Sequence, residues 1–242
     1  MLWEGLQARI VAAEASSHNT RRSYTTRRSH STSPSNNMIE TIQKALSELG
    51  QEFPDGAAER FATLLDELSR WNQRVNLTAI RDPGEMITGH LLDSLVARPL
   101  LHGTRILDVG TGAGFPGLPL AISEPARTFE LVDGNNKKIM FVQHIAALLG
   151  LANVKAVKSR TEDYAPDDRF DTVIARAVGP LVRLVEIAGH HVGEDGVFVA
   201  LKGRYPAEEL EELPERWEYV VERLDVPGLE QGSRHAVTMR PR

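Results

Sequence analysis

The most informative segment of this sequence is Ile106–Gly117, which reads ILDVGTGAGFPG. It opens with a short apolar run, as expected of a buried strand. Glycines then follow at alternate positions, namely Gly110, Gly112 and Gly114. Because glycine allows tight turns and lets a ligand approach bare backbone, the segment predicts a strand that ends in a ligand-binding loop.

The glycine spacing and the preceding Asp108 favour one class of ligand. Dinucleotide-binding folds carry G-x-G-x-x-G directly after the strand, but the sixth position counted from Gly110 is Phe115. The pattern G-x-G-x-x-G fits only from Gly112, two residues later, as Gly112, Gly114 and Gly117. The form D-x-G-x-G-x-G, with an acid that would repel a phosphate, favours S-adenosylmethionine over NAD or another nucleotide. A loop without a ligand is the remaining alternative.

Strand-like and helical segments alternate from Arg105 onward, which predicts a mostly parallel sheet with helices on both faces. The strand-like runs are residues 105–109, 128–132, 154–158, 172–175, 197–201, 219–226 and 236–239. No helix separates the last two, as is typical of an antiparallel hairpin at a sheet edge. We therefore expect residues 101–242 to form an α/β, Rossmann-like class I methyltransferase domain with seven strands and a terminal antiparallel hairpin.

Residues 38–100 predict a small N-terminal helical module before that domain. Apolar residues recur at helical spacing from Met38 to Leu49, and a second apolar stripe follows Pro54. Asp82-Pro83 suits the start of a third helix, and a fourth is expected around His90–Ala97. In that fourth helix His90, Asp93 and Ser94 share a turn, which indicates a surface hydrogen-bond network rather than a metal site.

Residues 1–37 predict a disordered basic extension, because Ser16–Asn37 is rich in Ser and Arg and almost without apolar residues. Three interpretations are open for it: an organelle transit peptide, a basic RNA-binding arm, or an upstream extension before a natural start at Met38. The extension has five Arg and two Glu, so the remainder of the chain is more acidic than the total of −5.

Composition excludes several kinds of chemistry. The chain has no cysteine, which rules out disulfides, thiolate metal sites and the cysteine nucleophile that methyltransferases acting on pyrimidine C5 require. That composition suits the cytoplasm, and no apolar run is long enough to predict a membrane span. The acidic body argues against indiscriminate nucleic-acid binding, so an RNA substrate would need a local basic patch.

Polar residues at the ends of the second and third strands are candidate cofactor ligands. Asp133 lies 23 positions after Gly110, where an acid accepts hydrogen bonds from ribose hydroxyls; its alternative is an exposed turn residue. Thr161 and Glu162 follow the third strand, where the loop borders an adenine. Their alternative is a helix N-cap with acids in its first turn.

Two cations follow the fourth and fifth strands. Arg176 stands where methyltransferases of exocyclic amines carry an (Asp/Asn)-Pro-Pro-(Tyr/Phe) motif, which this chain lacks, so an amino group is not the expected target. An arginine there can bind a carboxylate, a phosphate or a guanine edge, or form a surface salt bridge. Lys202 follows the fifth strand, and the two cations could face one opening.

Several segments together resemble the glucose-inhibited division protein B family, and the resemblance covers about residues 38–239. They are WNQRVNLTAIRDPGEM at 71–86, HLLDSL at 90–95, LDVGTGAGFPGLPLAI at 107–122, SRTED at 159–163, ARA at 175–177 and LKG at 201–203. The resemblance implies a bacterial methyltransferase acting on N7 of one guanine of 16S ribosomal RNA, near the decoding centre. It implies cofactor contacts at Gly110 and Phe115, an adenine pocket at Thr161 and Glu162, and Arg176 at the cofactor and substrate opening.

Guanine N7 has a lone pair and no proton, so its methylation needs no general base and depends on alignment. We expect Arg176 and Lys202 to be the catalytic residues, positioning the nucleotide without a metal ion. The expected cofactor-binding residues are Gly110, Gly112, Gly114, Phe115, Asp133, Thr161, Glu162 and Arg176. The expected partner is 16S ribosomal RNA, free or in the small subunit, and the expected state is a monomer. The alternatives are a small-molecule methyltransferase and a non-catalytic NAD- or nucleotide-binding regulator.

Overall fold

The computed structural model describes residues 35–229 and 232–242. Residues 1–34, which make up most of the predicted disordered extension, lie outside the described residues. Helix α1 (Asn36–Glu48) begins two residues before the expected start at Met38, because the Ser35 hydroxyl caps it by accepting a hydrogen bond from the Met38 N–H at 3.3 Å.

Helix α2 (Ala57–Val75) carries the apolar stripe that its sequence predicts. The side chains of Phe61, Leu64, Leu65 and Leu68 are buried. The helix starts after Gly56 rather than at Pro54, because Gly56 adopts a left-handed conformation with φ 74° that turns the chain into the helix.

The expected third and fourth helices form one continuous segment, so the prediction of a separate helix around His90–Ala97 is wrong. Helix α3 (Pro83–Met86) is capped by the Asp82 carboxylate as expected, then continues through a π-helical turn (Ile87–Leu92) into α4 (Asp93–Leu95). Apolar residues are buried all along the segment, which favours one uninterrupted helix against the core. Single π-helical turns often occur at functional sites.

Seven strands form one sheet in the order β3-β2-β1-β4-β5-β7-β6. Strand β7 runs antiparallel to β5 and β6, and the other neighbouring strands are parallel. The strands are β1 (Arg105–Val109), β2 (Thr128–Asp133), β3 (Val154–Lys158), β4 (Phe170–Arg176), β5 (Val192–Lys202), β6 (Trp217–Leu224) and β7 (Arg234–Pro241). The helices between them are α5 (Gly117–Ser123), α6 (Asn136–Leu148), α7 (Leu181–Ala188) and α8 (Ala207–Glu211). This arrangement confirms the predicted fold class.

Alternate residues of the central strands supply two hydrophobic cores, one on each face of the sheet. Ile106 of β1 belongs to the core that also contains the buried side chains of α1, α2, α5 and α6. Leu107 belongs to the core on the face covered by α7. The N-terminal helices thus share a core with the sheet, and the division at residue 100 stays a prediction. None of the helices among residues 35–229 and 232–242 is long and apolar enough to cross a membrane.

The order of the strands reverses between β1 and β4, and this point fixes where a ligand can bind. Strand β1 leads outward to β2 and β3 on one side, and β4 leads outward on the other. In open α/β sheets the crevice beyond the carboxyl ends of the strands at such a reversal is the binding site. Val109 at the end of β1 pairs with Ala175 of β4, so Gly110 and Arg176 both enter this crevice.

Candidate active site

The glycine loop leaves β1 as a tight turn over the crevice. Its backbone is held by Thr111, whose N–H donates to the Val132 carbonyl at 3.0 Å and whose carbonyl accepts from the N–H groups of Gly114 and Phe115. Gly110, Gly112 and Gly114 all have positive φ angles, of 65°, 61° and 87°. Residues other than glycine rarely adopt these angles, so the spacing predicted from the sequence has a backbone cause.

The three glycines differ in what surrounds them. A Cβ built at Gly110 would lie 2.7 Å from Val178 Cγ2, and one at Gly114 would lie 2.3 Å from Leu118 Cδ1. A Cβ at Gly112 would meet no atom closer than 3.9 Å. Gly110 and Gly114 are therefore needed for packing, whereas Gly112 borders open space where a ligand can approach the backbone.

Asp108 lies beneath this loop and holds its two ends together. One carboxylate oxygen, Oδ2, accepts from the Thr111 hydroxyl at 2.6 Å and from the Gly117 N–H at 2.8 Å. The other oxygen, Oδ1, is buried without a hydrogen-bond partner among the described residues. Burial raises the pKa of Asp108 to about 7, although both of these hydrogen bonds work in the opposite direction.

Asp133 joins the end of β2 to the glycine loop. Its Oδ2 accepts from the Gly112 N–H at 3.0 Å, and its Oδ1 accepts from the Asn135 N–H at 2.7 Å. The Lys138 ammonium lies 3.9 Å from Oδ2, and the Asp133 side chain is 12% exposed. The alternative of an exposed turn residue is therefore wrong. Each carboxylate oxygen keeps a second lone pair that can accept a ribose hydroxyl.

Thr161 and Glu162 lie in a short 3₁₀ turn after β3, near the same edge of the sheet. Thr161 is buried, and its carbonyl accepts from the buried His191 at 3.1 Å. Glu162 faces solvent within 4.0 Å of Arg160 and 3.8 Å of Arg183. Thr161 does not cap the turn with its side chain, so the N-cap alternative is not supported. No local pattern in the sequence points to His191, because its partner lies 30 residues away.

Arg176 ends β4 and lies against the glycine loop. Its Nη1 donates to Asp93 Oδ2 at 2.8 Å and to the Gly89 carbonyl at 3.2 Å. Its guanidinium carbon lies 5.7 Å from the centroid of the Phe115 ring, within the range of a cation–π contact. The side chain is 16% exposed, so its ion pair is largely removed from solvent and is not the surface salt bridge considered above.

The π-helical turn and the start of α4 bring two more residues to this point. Asp93 binds Arg176 through one oxygen and accepts from Arg234 Nε through the other. The His90 ring stacks on Phe115 at 4.8 Å, and its Nε2 lies 2.8 Å from the Thr78 hydroxyl. Burial, and then the nearby Arg176, lower the pKa of His90 to about 4, so its ring is neutral near pH 7. Sequence reasoning placed His90 and Asp93 on a helix surface and did not connect them with the strand ends.

Lys202 has a different environment from Arg176, although they end neighbouring strands. Its ammonium donates to the Gly179 carbonyl at 2.7 Å and to the Glu209 carboxylate at 2.6 Å. Glu209 also accepts from the Leu181 N–H at 2.8 Å. Lys202 thus holds the loop after β4 to helix α8. A direct contact of Lys202 with a substrate stays a prediction.

Replacing Asp108 with asparagine is expected to change how stability depends on pH. The unfolded Asp108 loses its proton near pH 4 and the folded one near pH 7, so folding takes up a proton between these values. Ionisation of Asp108 therefore lowers the free energy of unfolding as pH rises through this window, by up to roughly 4 kcal/mol, while His90 acts in the opposite sense up to about pH 6.5. Asparagine cannot ionise, so the variant should lack the Asp108 contribution, which is measured as the difference between variant and parent in denaturant titrations from pH 5 to 8.

Asp171 supplies the contrast for this measurement. Burial would raise the pKa of its carboxyl, but the N–H groups of Arg105 and Thr104 outweigh burial and lower it. Asp171→Asn should therefore change the pH dependence in the opposite sense. Equal pH slopes for Asp108→Asn and the parent protein would contradict the burial effect on Asp108. His90 is present in Asp108→Asn and in the parent protein, so its titration cancels when the stability of one is subtracted from that of the other.

Comparison with known proteins identifies the family. A sequence profile described as rRNA small subunit methyltransferase G (GidB) matches residues 57–237. The chain is 42% identical over 206 residues to the ribosomal RNA small subunit methyltransferase G of Idiomarina loihiensis, across 85% of this chain and 100% of that protein. It is 45% identical over 202 residues to that of Nitrosococcus oceani, across 83% of this chain and 94% of that protein.

A solved structure supports the fold independently. The S-adenosylmethionine-dependent methyltransferase from Thiobacillus denitrificans, in complex with S-adenosyl-L-homocysteine, matches with a TM-score of 0.50 at 13% identity. The match covers 72% of this chain and 98% of that one. Because the profile spans most of the chain and both relatives align over nearly their whole length, this chain belongs to the rRNA small subunit methyltransferase G family.

Proposed function

We propose that this protein transfers a methyl group from S-adenosylmethionine to N7 of a guanine in 16S ribosomal RNA. The observation that carries the proposal is the crevice itself. There the glycine loop, Asp133 and Arg176 surround the carboxyl end of β1 in a chain of this family.

The residues present fit S-adenosylmethionine. The space beside Gly112 leaves room for a ligand against the loop backbone. The buried and unpartnered Oδ1 of Asp108 offers an acceptor, directly or through water, for the amino group of an amino-acid ligand. Asp133 faces the loop with lone pairs for ribose hydroxyls, and Thr161 and Glu162 follow the next strand, where an adenine would lie. A dinucleotide pyrophosphate would instead meet these acids, which repel it.

When bound, S-adenosylmethionine supplies an electrophilic methyl group on its sulfonium. Guanine N7, which has a lone pair and no proton, would be the acceptor of this group. No proton moves, so a general base is not required. The neutral His90 and the ion-paired Arg176 are therefore assigned to positioning.

Arg176 and Phe115 are the residues we assign to positioning the guanine. Arg176 is fixed by Asp93, by the Gly89 carbonyl and by the Phe115 ring, so its orientation costs little entropy when substrate binds. A guanidinium can donate to the O6 edge of guanine or to a phosphate. We assign Lys202 an indirect role, since it holds the loop that follows Arg176.

The target guanine is expected in a loop or an unstacked position. In an A-form helix N7 points into a deep, narrow groove that side chains cannot enter. An enzyme that acts on such an unstacked base can recognise it through the shape of the RNA and a few of its own cationic side chains near the site. This mode of recognition is compatible with the net charge of −5. Binding should weaken as salt is raised, as for any contact with phosphates.

The test is nucleoside mass spectrometry of 16S ribosomal RNA from a strain that lacks this gene. We expect loss of one 7-methylguanosine, and its return when the purified protein and S-adenosylmethionine are added. An unchanged nucleoside profile would contradict the proposal and turn attention to a small-molecule acceptor. Running the addition on naked RNA and on small subunits distinguishes the two substrate forms. A monomeric state and a cytoplasmic location stay predictions.

A further inference from the structure

Tyr205 is exposed at the same edge of the sheet as the active site. The large apolar side chains that the structure describes as exposed are Leu148, Tyr205, Tyr219 and Val220. Leu148 ends helix α6, which returns from the carboxyl edge of the sheet to its amino edge. Tyr219 and Val220 lie in the outermost strand β6, and the register across β7, β5 and β4 puts them level with the middle of β1. Among these four, Tyr205 alone follows a strand end at the carboxyl edge, and it is 55% exposed.

Strand register connects Tyr205 with the crevice. Leu201 pairs with Arg176, and Tyr205 follows four residues later on the loop that leaves β5. The Tyr205 and His235 rings form a T-shaped contact with a centroid distance of 5.7 Å and an interplanar angle of 84°. His235 adjoins Arg234, which binds Asp93 beside Arg176. The Tyr205 ring is therefore held by His235 near the strand ends that border the site, while more than half of its surface is exposed.

Two arginines lie close to Tyr205 along the chain or through its partner: Arg204 precedes it, and Arg234 precedes His235. Arg204 is exposed and makes no ion pair or hydrogen bond within residues 35–229 and 232–242. Arg234 uses its Nε for Asp93 and its Nη1 for the Ser233 carbonyl. Two glycines lie beside its guanidinium, and a Cβ built at Gly203 or at Gly232 would still be 3.9 Å from Nη1. The Arg234 side chain is 27% exposed, so part of its guanidinium is accessible to a ligand.

We propose that Arg204, Tyr205 and Arg234 form a ledge that binds an unpaired nucleotide of the RNA next to the methylated guanine. The base stacks on the Tyr205 ring, and phosphate oxygens contact the two guanidinium groups. Aromatic rings between cations are how proteins hold unstacked RNA, since every base has a face that can stack. The ledge rests on the proposed function, because it assigns a surface to the same RNA substrate.

The test compares Tyr205→Ala with Tyr219→Ala, an exposed tyrosine (46%) on the outermost strand β6, which β7 separates from β5. The measurements are the Kd for unmethylated 16S ribosomal RNA and for small subunits, at one fixed salt concentration, and the KM and kcat of methylation. We expect Tyr205→Ala to bind RNA about tenfold more weakly or worse, with a matching rise in KM. Tyr205→Phe keeps the ring and should restore binding. Tyr219→Ala should match the parent protein.

Arg204→Gln tests the phosphate contact, with Arg242→Gln as the control at the amino edge. The slope of log K against log salt should become shallower by about 1 for Arg204→Gln and stay unchanged for Arg242→Gln. The affinity for S-adenosylmethionine should not change in any of these variants.

The outcomes separate the ledge from the proposed function. If Tyr205→Ala binds and methylates RNA like Tyr219→Ala, the ledge is overturned while the proposed function stands. If Tyr205→Phe is as weak as Tyr205→Ala, stacking is overturned as the mode of binding. If the parent protein neither binds nor methylates either RNA, the proposed function fails and the ledge with it.

Discussion

Gly112→Ala is expected to lose most of its affinity for S-adenosylmethionine while the protein still folds. At φ 61° an alanine costs about 1 kcal/mol of backbone strain, and its Cβ meets no protein atom closer than 3.9 Å. The methyl group instead projects into the space that we assign to the ligand. A ligand that must shift to avoid it loses roughly 1–3 kcal/mol, so the Kd measured by calorimetry should rise about 10–100-fold.

Gly150→Ala is the matched control for this variant. Gly150 has a φ of 62°, and a Cβ there has nothing within 4 Å. It follows helix α6, away from the carboxyl edge of the sheet. Both variants carry the same backbone strain, so their thermal unfolding midpoints should fall by similar amounts. If Gly112→Ala bound S-adenosylmethionine as tightly as Gly150→Ala, the ligand would not approach the loop at this glycine. Gly110→Ala is a poorer probe, because the clash with Val178 would disturb the fold as well.

The part of the site that the sequence predicts well is governed by local geometry. Positive φ angles at alternate positions strongly favour glycine whatever the rest of the chain does, so Gly110, Gly112 and Gly114 could be identified from spacing alone. The same holds for the capped start of α3 at Asp82, where side chain and backbone lie three residues apart. The bounds of β1, β2 and β3 were predicted to within one residue for a similar reason, since parallel strands are short apolar runs. Strand β5 begins five residues before the predicted start at 197, because the glycines and acids at 193–196 interrupt its apolar run.

What the sequence could not predict depends on contacts between distant residues. Asp93 binds Arg176 over a separation of 83 residues and Arg234 over 141. Its pairing follows from the packing of the π-helical turn on the sheet, which no local spacing encodes. Lys202 shows the converse. Its location at the end of β5 could be predicted from the sequence. The two acceptors of its ammonium, Glu209 and the Gly179 carbonyl, could not, because the fold brings them to it.

Arg176→Ala is expected to lower kcat/KM for RNA methylation by about 100-fold or more, because it removes the guanidinium assigned to the guanine. Asp93 keeps its second partner, Arg234, so the variant does not leave a buried carboxylate unpaired, which would cost several kcal/mol. The protein should therefore fold, with a modest drop in its unfolding midpoint. Arg176→Lys keeps the charge without the planar fork and should recover only part of the activity.

Arg105→Ala controls for the loss of packing and charge that any such change causes. Arg105 makes an ion pair with Asp168 at 3.0 Å and lies 5.1 Å from the centroid of the Phe170 ring. It thus makes the same two kinds of contact as Arg176 does with Asp93 and Phe115, but its ion pair is more exposed and it lies at the amino end of β1. We expect Arg105→Ala to lose stability without losing turnover at a temperature where it is folded. If Arg176→Ala kept both its turnover and its cofactor affinity, Arg176 would not belong to the site. If turnover falls in Arg176→Ala but not in Arg105→Ala, the loss is due to the location of Arg176 at the carboxyl edge and not to the loss of an ion pair.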